Sequence, residues 1–113
     1  MAVDEDMNQK FREALGQIDG LSEKKMMGGM CFMLNGNMIG GADRTKDGRG
    51  RFMFRIGKDN DETGRAMPGA QPMVQGGRRM SGLFFVEEDD CSPDVMAQWI
   101  ALAIDNAQNL PKK

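Results

Sequence analysis

Residues 24–41, KKMMGGMCFMLNGNMIGG, hold a Gly-Gly step followed by two apolar runs hinged on Asn35-Gly36. Asn-Gly between apolar runs predicts a β-hairpin, because a type I′ turn needs positive φ at both central residues. Strands are expected at about 30–34 and 38–42. The first is apolar at every position, so alternation does not say which face it buries. Gly28-Gly29 reads as a sharp bend or a close backbone approach. It lacks the Walker spacing and the Lys-Ser/Thr step of a phosphate cradle.

Upstream, residues 22–25 read as a link from a helix. Asp4, Glu5 and Asp6 supply the carboxylates that a helix N-terminus favours. Met7, Phe11, Ala14 or Leu15, and Ile18 recur at helical spacing, predicting a helix over about 4–18 stopped by Gly20. Downstream, the polar, glycine-punctuated stretch 43–50, DRTKDGRG, reads as an exposed loop. Residues 51–57, RFMFRIG, predict a half-buried strand. Phe52, Phe54 and Ile56 share one face, and Arg51, Met53 and Arg55 share the other. Asp59 or Asp61 is positioned to cap a short helix reaching Ala66, before Pro68-Gly69 breaks it. Residues 71–74 add a short extended piece ahead of a turn at Gly76-Gly77. Residues 83–87, LFFVE, read as the final strand. Ser92 as N-cap with Pro93 at the first helical position opens a last helix. Its apolar stripe runs through Met96, Trp99 or Ile100, Ala103 and Ala107 until Pro111. The order α-β-β-β-(α)-β-α predicts an α+β fold in two layers: an antiparallel sheet with N- and C-terminal helices on one face.

At 113 residues the chain is expected to form one domain, 1–113, with a core of its own. The net charge of −2 is unevenly spread, at −2 over residues 1–42, +4 over 43–79 and −4 over 80–113. A basic middle is the pattern of a nucleic-acid footprint, but the pI of about 5.1 argues against a dedicated one. No secretory signal opens the chain, and no apolar run is long enough to cross a membrane. With two cysteines at no metal-ligand spacing, a reducing, cytoplasmic setting is expected.

The chain contains no histidine and no tyrosine, so the commonest proton-transfer groups are missing and no catalytic constellation assembles. Cys91 precedes a helix N-terminus, which lowers a thiol pKa, but the acids at 87–90 oppose that, and it reads as an ordinary thiol. Cys31 reads as a small buried hydrophobe. The twelve methionines suggest a soft-ion reading, with Cu(I) held by Met26, Met30 and Cys31, against core filling or an adaptable binding surface. Core filling is the preferred reading, so no metal site or cofactor is assigned. Candidate contacts to nucleic acid or a partner are Arg44, Arg51, Arg55, Arg78 and Arg79, with Lys46 and Arg49 alongside. A solvated surface paired with the acidic ends is the competing account.

From Lys24 onward the sequence resembles the TfoX N-terminal domain family. Residues 24–29, KKMMGG, match its K-x-M-F-G-G step, and 31–38, CFMLNGNM, its F-M-x-N-G-N-M hairpin. Residues 53–57, MFRIG, follow M-x-R-V-G. Pro72, Met73, Gly77, Arg78, Met80, Gly82 and Val86 follow R-P-M-x-x-x-G-R-x-M-x-G-x-x-x-V. Trp99 and residues 110–112 match the last helix. The resemblance implies a fold similar to type III secretion chaperones and a link to regulators of DNA-uptake competence. Two departures stand out. The 43–50 loop looks longer than the family's, and the competence regulators continue into a second, helical domain. The expectation is a small, non-enzymatic interaction or regulatory module with a protein partner, and homodimer pairing along open sheet edges. The alternative is a DNA-associated regulator of competence or transcription.

Overall fold

The computed structural model describes residues 4–26 and 29–111; residues 1–3, 27–28 and 112–113 lie outside them, and with them the first glycine of the Gly28-Gly29 step. Among the described residues the order is α1 (Glu5–Leu15), β1 (Leu21–Met26), β2 (Gly29–Leu34), β3 (Asn37–Arg44) and β4 (Gly50–Arg55), then α2 (Asp61–Arg65), β5 (Gln71–Gln75), β6 (Arg78–Glu87) and α3 (Pro93–Gln108). The strands form one six-stranded antiparallel sheet in the order β1-β2-β3-β4-β6-β5. The expected α+β class holds, but two strands were added to the predicted order.

The central hairpin forms as its sequence demands. Asn35 and Gly36 have φ of 52° and 84°, both positive, between β2 and β3. Asn37, which follows the turn, is buried, and its amide donates to the Pro111 carbonyl at 2.9 Å. That bond ties the end of the described chain to the β2–β3 hairpin.

The helix ends follow capping chemistry. The Asp4 carboxylate accepts from the Met7 amide at 3.0 Å, and Arg44 beside it holds the Asp4 carboxyl below its usual range. α1 stops at Leu15, earlier than predicted, because Gly16 takes the left-handed position and its N–H returns to the Arg12 carbonyl. Ile18 lies beyond the helix yet still packs against the core. Ser92 caps α3 through the Val95 amide, with Pro93 in the first turn as expected.

Three other expectations are corrected. Residues 22–25 are not a link but the middle of β1, an edge strand. Its run of Ser22, Glu23, Lys24 and Lys25 hides the β pattern, and charge of this kind is how edges are kept from pairing. β3 runs to Arg44 and β4 starts at Gly50, which shortens the predicted loop to residues 45–49. β6 begins at Arg78, five residues before the predicted strand. Its polar first half is carried past a step at Gly82, φ 78°, where a Cβ would collide with the Gly57 carbonyl carbon.

The cap predicted for the short helix also falls elsewhere. Asn60 occupies that position without a side-chain cap bond. Asp61 instead points back at β6, accepting from the Gly82 amide at 2.7 Å and from Arg79 at 2.9 Å, with Arg65 at 3.3 Å. Burial pushes this carboxyl up, but the Gly82 amide and the two guanidinium groups outweigh it and hold it below its ordinary value.

α1 and α3 cover one face of the sheet. There Phe11 stacks on Phe32 with ring centroids 4.6 Å apart, and Trp99 stacks on Phe54 at 5.3 Å and meets Phe84 at 5.3 Å. Phe52, Phe54 and Ile56 all enter this core, as their alternation predicted.

Candidate functional site

The opposite face of the sheet carries a second apolar cluster. Cys31, Met53 and Met73 are its buried members, at 3%, 8% and 3% exposure, with Met33, Met38, Met80, Leu83 and Phe85 half-buried around them. Among the described residues no helix contributes to it. Five methionines from five strands thus meet one thiol on a sheet face to which no described helix contributes, its members buried or half-buried among themselves. Thioether side chains are unbranched and polarizable, and they repack against differently shaped partners at low cost.

This face is also where the uniformly apolar β2 finds its explanation. Phe32 and Leu34 enter the helix-side core, while Cys31 and Met33 point the other way, so both faces of the strand are apolar for different reasons. Met80 and Leu83 share the face despite an odd spacing, because the chain steps at Gly82 between them.

The charged residues on and around the face fall into two sets. Asp43 and Arg51, opposite each other on β3 and β4, form a two-pronged ion pair at 3.1 and 2.9 Å. The Arg51 guanidinium also lies 3.8 Å from the centre of the Phe85 ring. Lys24, paired in register with Cys31, Arg55, paired with Leu83, and Arg78, two residues before Met80, form the second set. These three make no ion pair among the described residues, and Lys24 and Arg78 are exposed.

The predicted arginine set is therefore divided by the fold. Arg44 sits at the N-terminus of α1 on Asp4 at 2.8 Å, Arg79 is held by Asp61, and Arg51 by Asp43. Arg49 reaches Glu87 at 2.7 Å from the 45–49 loop, and Lys46 is exposed in the same loop. Only Arg55 and Arg78 of the five lie uncompensated beside the apolar face. Lys24, Met33, Met38, Met73, Met80 and Phe85 were not singled out as members of one surface, since their sequence positions span five strands.

The Met26, Met30 and Cys31 set does not converge. Met30 and Cys31 are successive strand residues on opposite faces, and Met30 packs on the helix-side core; the Met26 side chain lies outside the described part of the structure. Cys91 lines a groove of about 410 Å³ between α1 and α3, together with Lys10, Glu13, Phe52, Glu88 and Met96. Its thiol donates to the Met96 sulfur at 3.6 Å, and burial, then the Asp90 charge, push it up to about 11. A thiol so protonated is a poor nucleophile. Among the described residues no group of three or more Cys, Asp or Glu is placed to hold a metal, and no helix is long and apolar enough to cross a membrane.

A family model, that of the TfoX N-terminal domain, matches residues 13–107. No curated protein and no solved structure matches the chain.

Proposed function

Because the chain belongs to the TfoX N-terminal domain family, whose name attaches to competence regulation, we propose that it is a non-enzymatic regulatory module that works in the cytoplasm by docking a protein partner on its helix-free sheet face. The single observation that carries this reading is the half-buried methionine cluster on that face, to which no described helix contributes. The other face shows what such a surface accepts, since amphipathic helices α1 and α3 cover it. The partner is accordingly an amphipathic helix, with an apolar stripe for Met33, Met38 and Met80 and acidic flanks for Lys24, Arg55 and Arg78. Charge complementarity of this kind sets orientation and encounter rate more than affinity.

Two features support a partner of another sequence over the expected homodimer. The uncompensated charges around the face are all positive, so a second copy would bring like charges together. The sheet edges are also blunted, β1 by its charged run and β5 by Pro72 and a register shift. The DNA-associated alternative draws less support, because Arg44, Arg51 and Arg79 already hold carboxylates.

Methionine-methyl NMR on the whole chain tests the reading. A synthetic amphipathic helix with a Leu stripe and Glu flanks is expected to shift the Met33, Met38 and Met80 methyls, and the effect is lost with Arg55→Glu plus Arg78→Glu. A duplex DNA oligonucleotide that shifts them instead, or shifts confined to Met7 and Met96, would overturn it.

A further inference from the structure

The groove between α1 and α3 lies on the helix side of the sheet, away from the methionine face. Its floor is Phe52 of β4, 3% exposed, with the Cys91 and Met96 sulfurs 3.6 Å apart beside it. Ala14, Pro93 and Ala97 form the walls, and these short side chains leave a space of about 410 Å³ between the helices. That volume falls within the range of small-molecule sites, which are concave and mainly apolar with a few polar groups at fixed places. The floor suits a ring better than a flexible chain, because thioether sulfur makes favourable contacts with aromatic rings.

The rim sets the charge of the occupant. Lys10 of α1 pairs with Glu88 of the short turn Glu88–Asp90 and joins the two walls, so these two charges satisfy each other. Glu13, three residues along α1 from Lys10, is exposed and accepts a hydrogen bond from Gln9 at 3.4 Å. Asp89, Asp90 and Asp94 are next in sequence to the lining residues Glu88, Cys91 and Pro93, and all three are exposed. None of these four acids forms an ion pair among the described residues. The α3 N-terminus offers an anion little in compensation, since Pro93 has no N–H and the Ser92 side chain already takes the Val95 amide. We propose that the groove binds a small aromatic amine, its ring over Phe52 between Ala14 and Ala97 and its ammonium directed to Glu13. The acidic turn raises the concentration of such a cation at the mouth. The inference is independent of the docking proposal, because it uses no residue of the methionine face.

Phenethylamine, phenethyl alcohol and hydrocinnamate share one ring and differ in charge, and they serve as matched probes. Methionine-methyl NMR on the reduced whole chain reads binding, with protection of Cys91 from alkylation at alkaline pH in parallel. The expected result is a saturable Met96 shift and slower Cys91 alkylation with the amine, weaker binding of the alcohol, and weakest of the carboxylate. Ala97→Leu fills the groove from an exposed helical position and weakens the amine at least about tenfold, since the ring loses its place. Glu13→Gln weakens the amine about threefold, the size expected of an exposed ion pair, and leaves the alcohol unchanged. Should Ala97→Leu disturb α3, Ala14→Leu closes the groove from the other wall. Tighter binding of hydrocinnamate, no saturable response, an amine response confined to Met33, Met38 and Met80, or a Met96 shift that persists in both leucine variants overturns the proposal. Any of these leaves the docking reading standing, since that is read with a peptide at Met33, Met38 and Met80.

Discussion

The two faces of the sheet are both apolar, yet they are built from different materials. The helix side uses rings: Phe11, Phe32, Phe54, Phe84 and Trp99 are all fully buried or nearly so, and they stack or tilt against one another at 4.6 to 5.8 Å. The other side uses thioethers, several of them only half-buried. Rings with two torsions lock a single packing, whereas methionine with three adapts to several. One face therefore specifies the fold, and the other is free to answer to something outside it.

The sharpest way to break that comparison is to remove a ring. Trp99→Ala should cost about 3–5 kcal/mol, because it opens a cavity between Phe54 and Phe84 that rigid neighbours cannot fill. Urea unfolding measures it, and a loss under about 1 kcal/mol would contradict a ring-locked core. A smaller effect is expected where the faces are joined at Gly82. Asp61→Asn should lose about 1.5–3 kcal/mol at neutral pH, since it gives up charged hydrogen bonds to Arg79 and the Gly82 amide. The folded-state pKa of Asp61 lies below its unfolded value. Its contribution is thus complete above the unfolded pKa, roughly pH 4, and is lost as pH falls through the folded one. The gap between wild type and variant should accordingly close on acidification; a gap that stays constant to low pH would refute the assignment. Least of all should come from the thioether face. Met80→Leu is expected to change stability by less than about 1.5 kcal/mol, as a volume-conserving swap on a half-buried surface. Thermal unfolding checks it, and a loss as large as that of Trp99→Ala would make the two faces energetic equals.

Much of the helix side was legible because its signals are local. Asn35-Gly36 dictated a hairpin, the alternation of Phe52, Phe54 and Ile56 named an inward face, and Ser92-Pro93 marked the start of α3. The missing pieces share a physical cause. β1 was hidden because an edge strand, paired on one side only, tolerates Ser-Glu-Lys-Lys without an apolar face of its own. The start of β6 was hidden because Arg78 is exposed and Arg79 is recruited to a distant partner, Asp61 in α2, so neither shows an apolar period. The thioether face was not legible at all as a surface. Cys31, Met53, Met73 and Met80 become neighbours only through the order β2-β3-β4-β6-β5, in which β6 inserts itself between β4 and β5. No local period encodes that insertion. The ion pairs of Arg44, Arg51 and Arg79 were hidden for a related reason, since their carboxylate partners at positions 4, 43 and 61 come from three separate parts of the fold.

The bond between Asn37 and Pro111 has a consequence during synthesis. The partner of the hairpin's buried amide is made 74 residues after it. At about 5–20 residues per second, that interval is about 4–15 s. Throughout it the Asn37 amide keeps its hydrogen bonds to water, and burying it is favourable only once the Pro111 carbonyl is there to accept. Closure of this one contact therefore waits for Pro111.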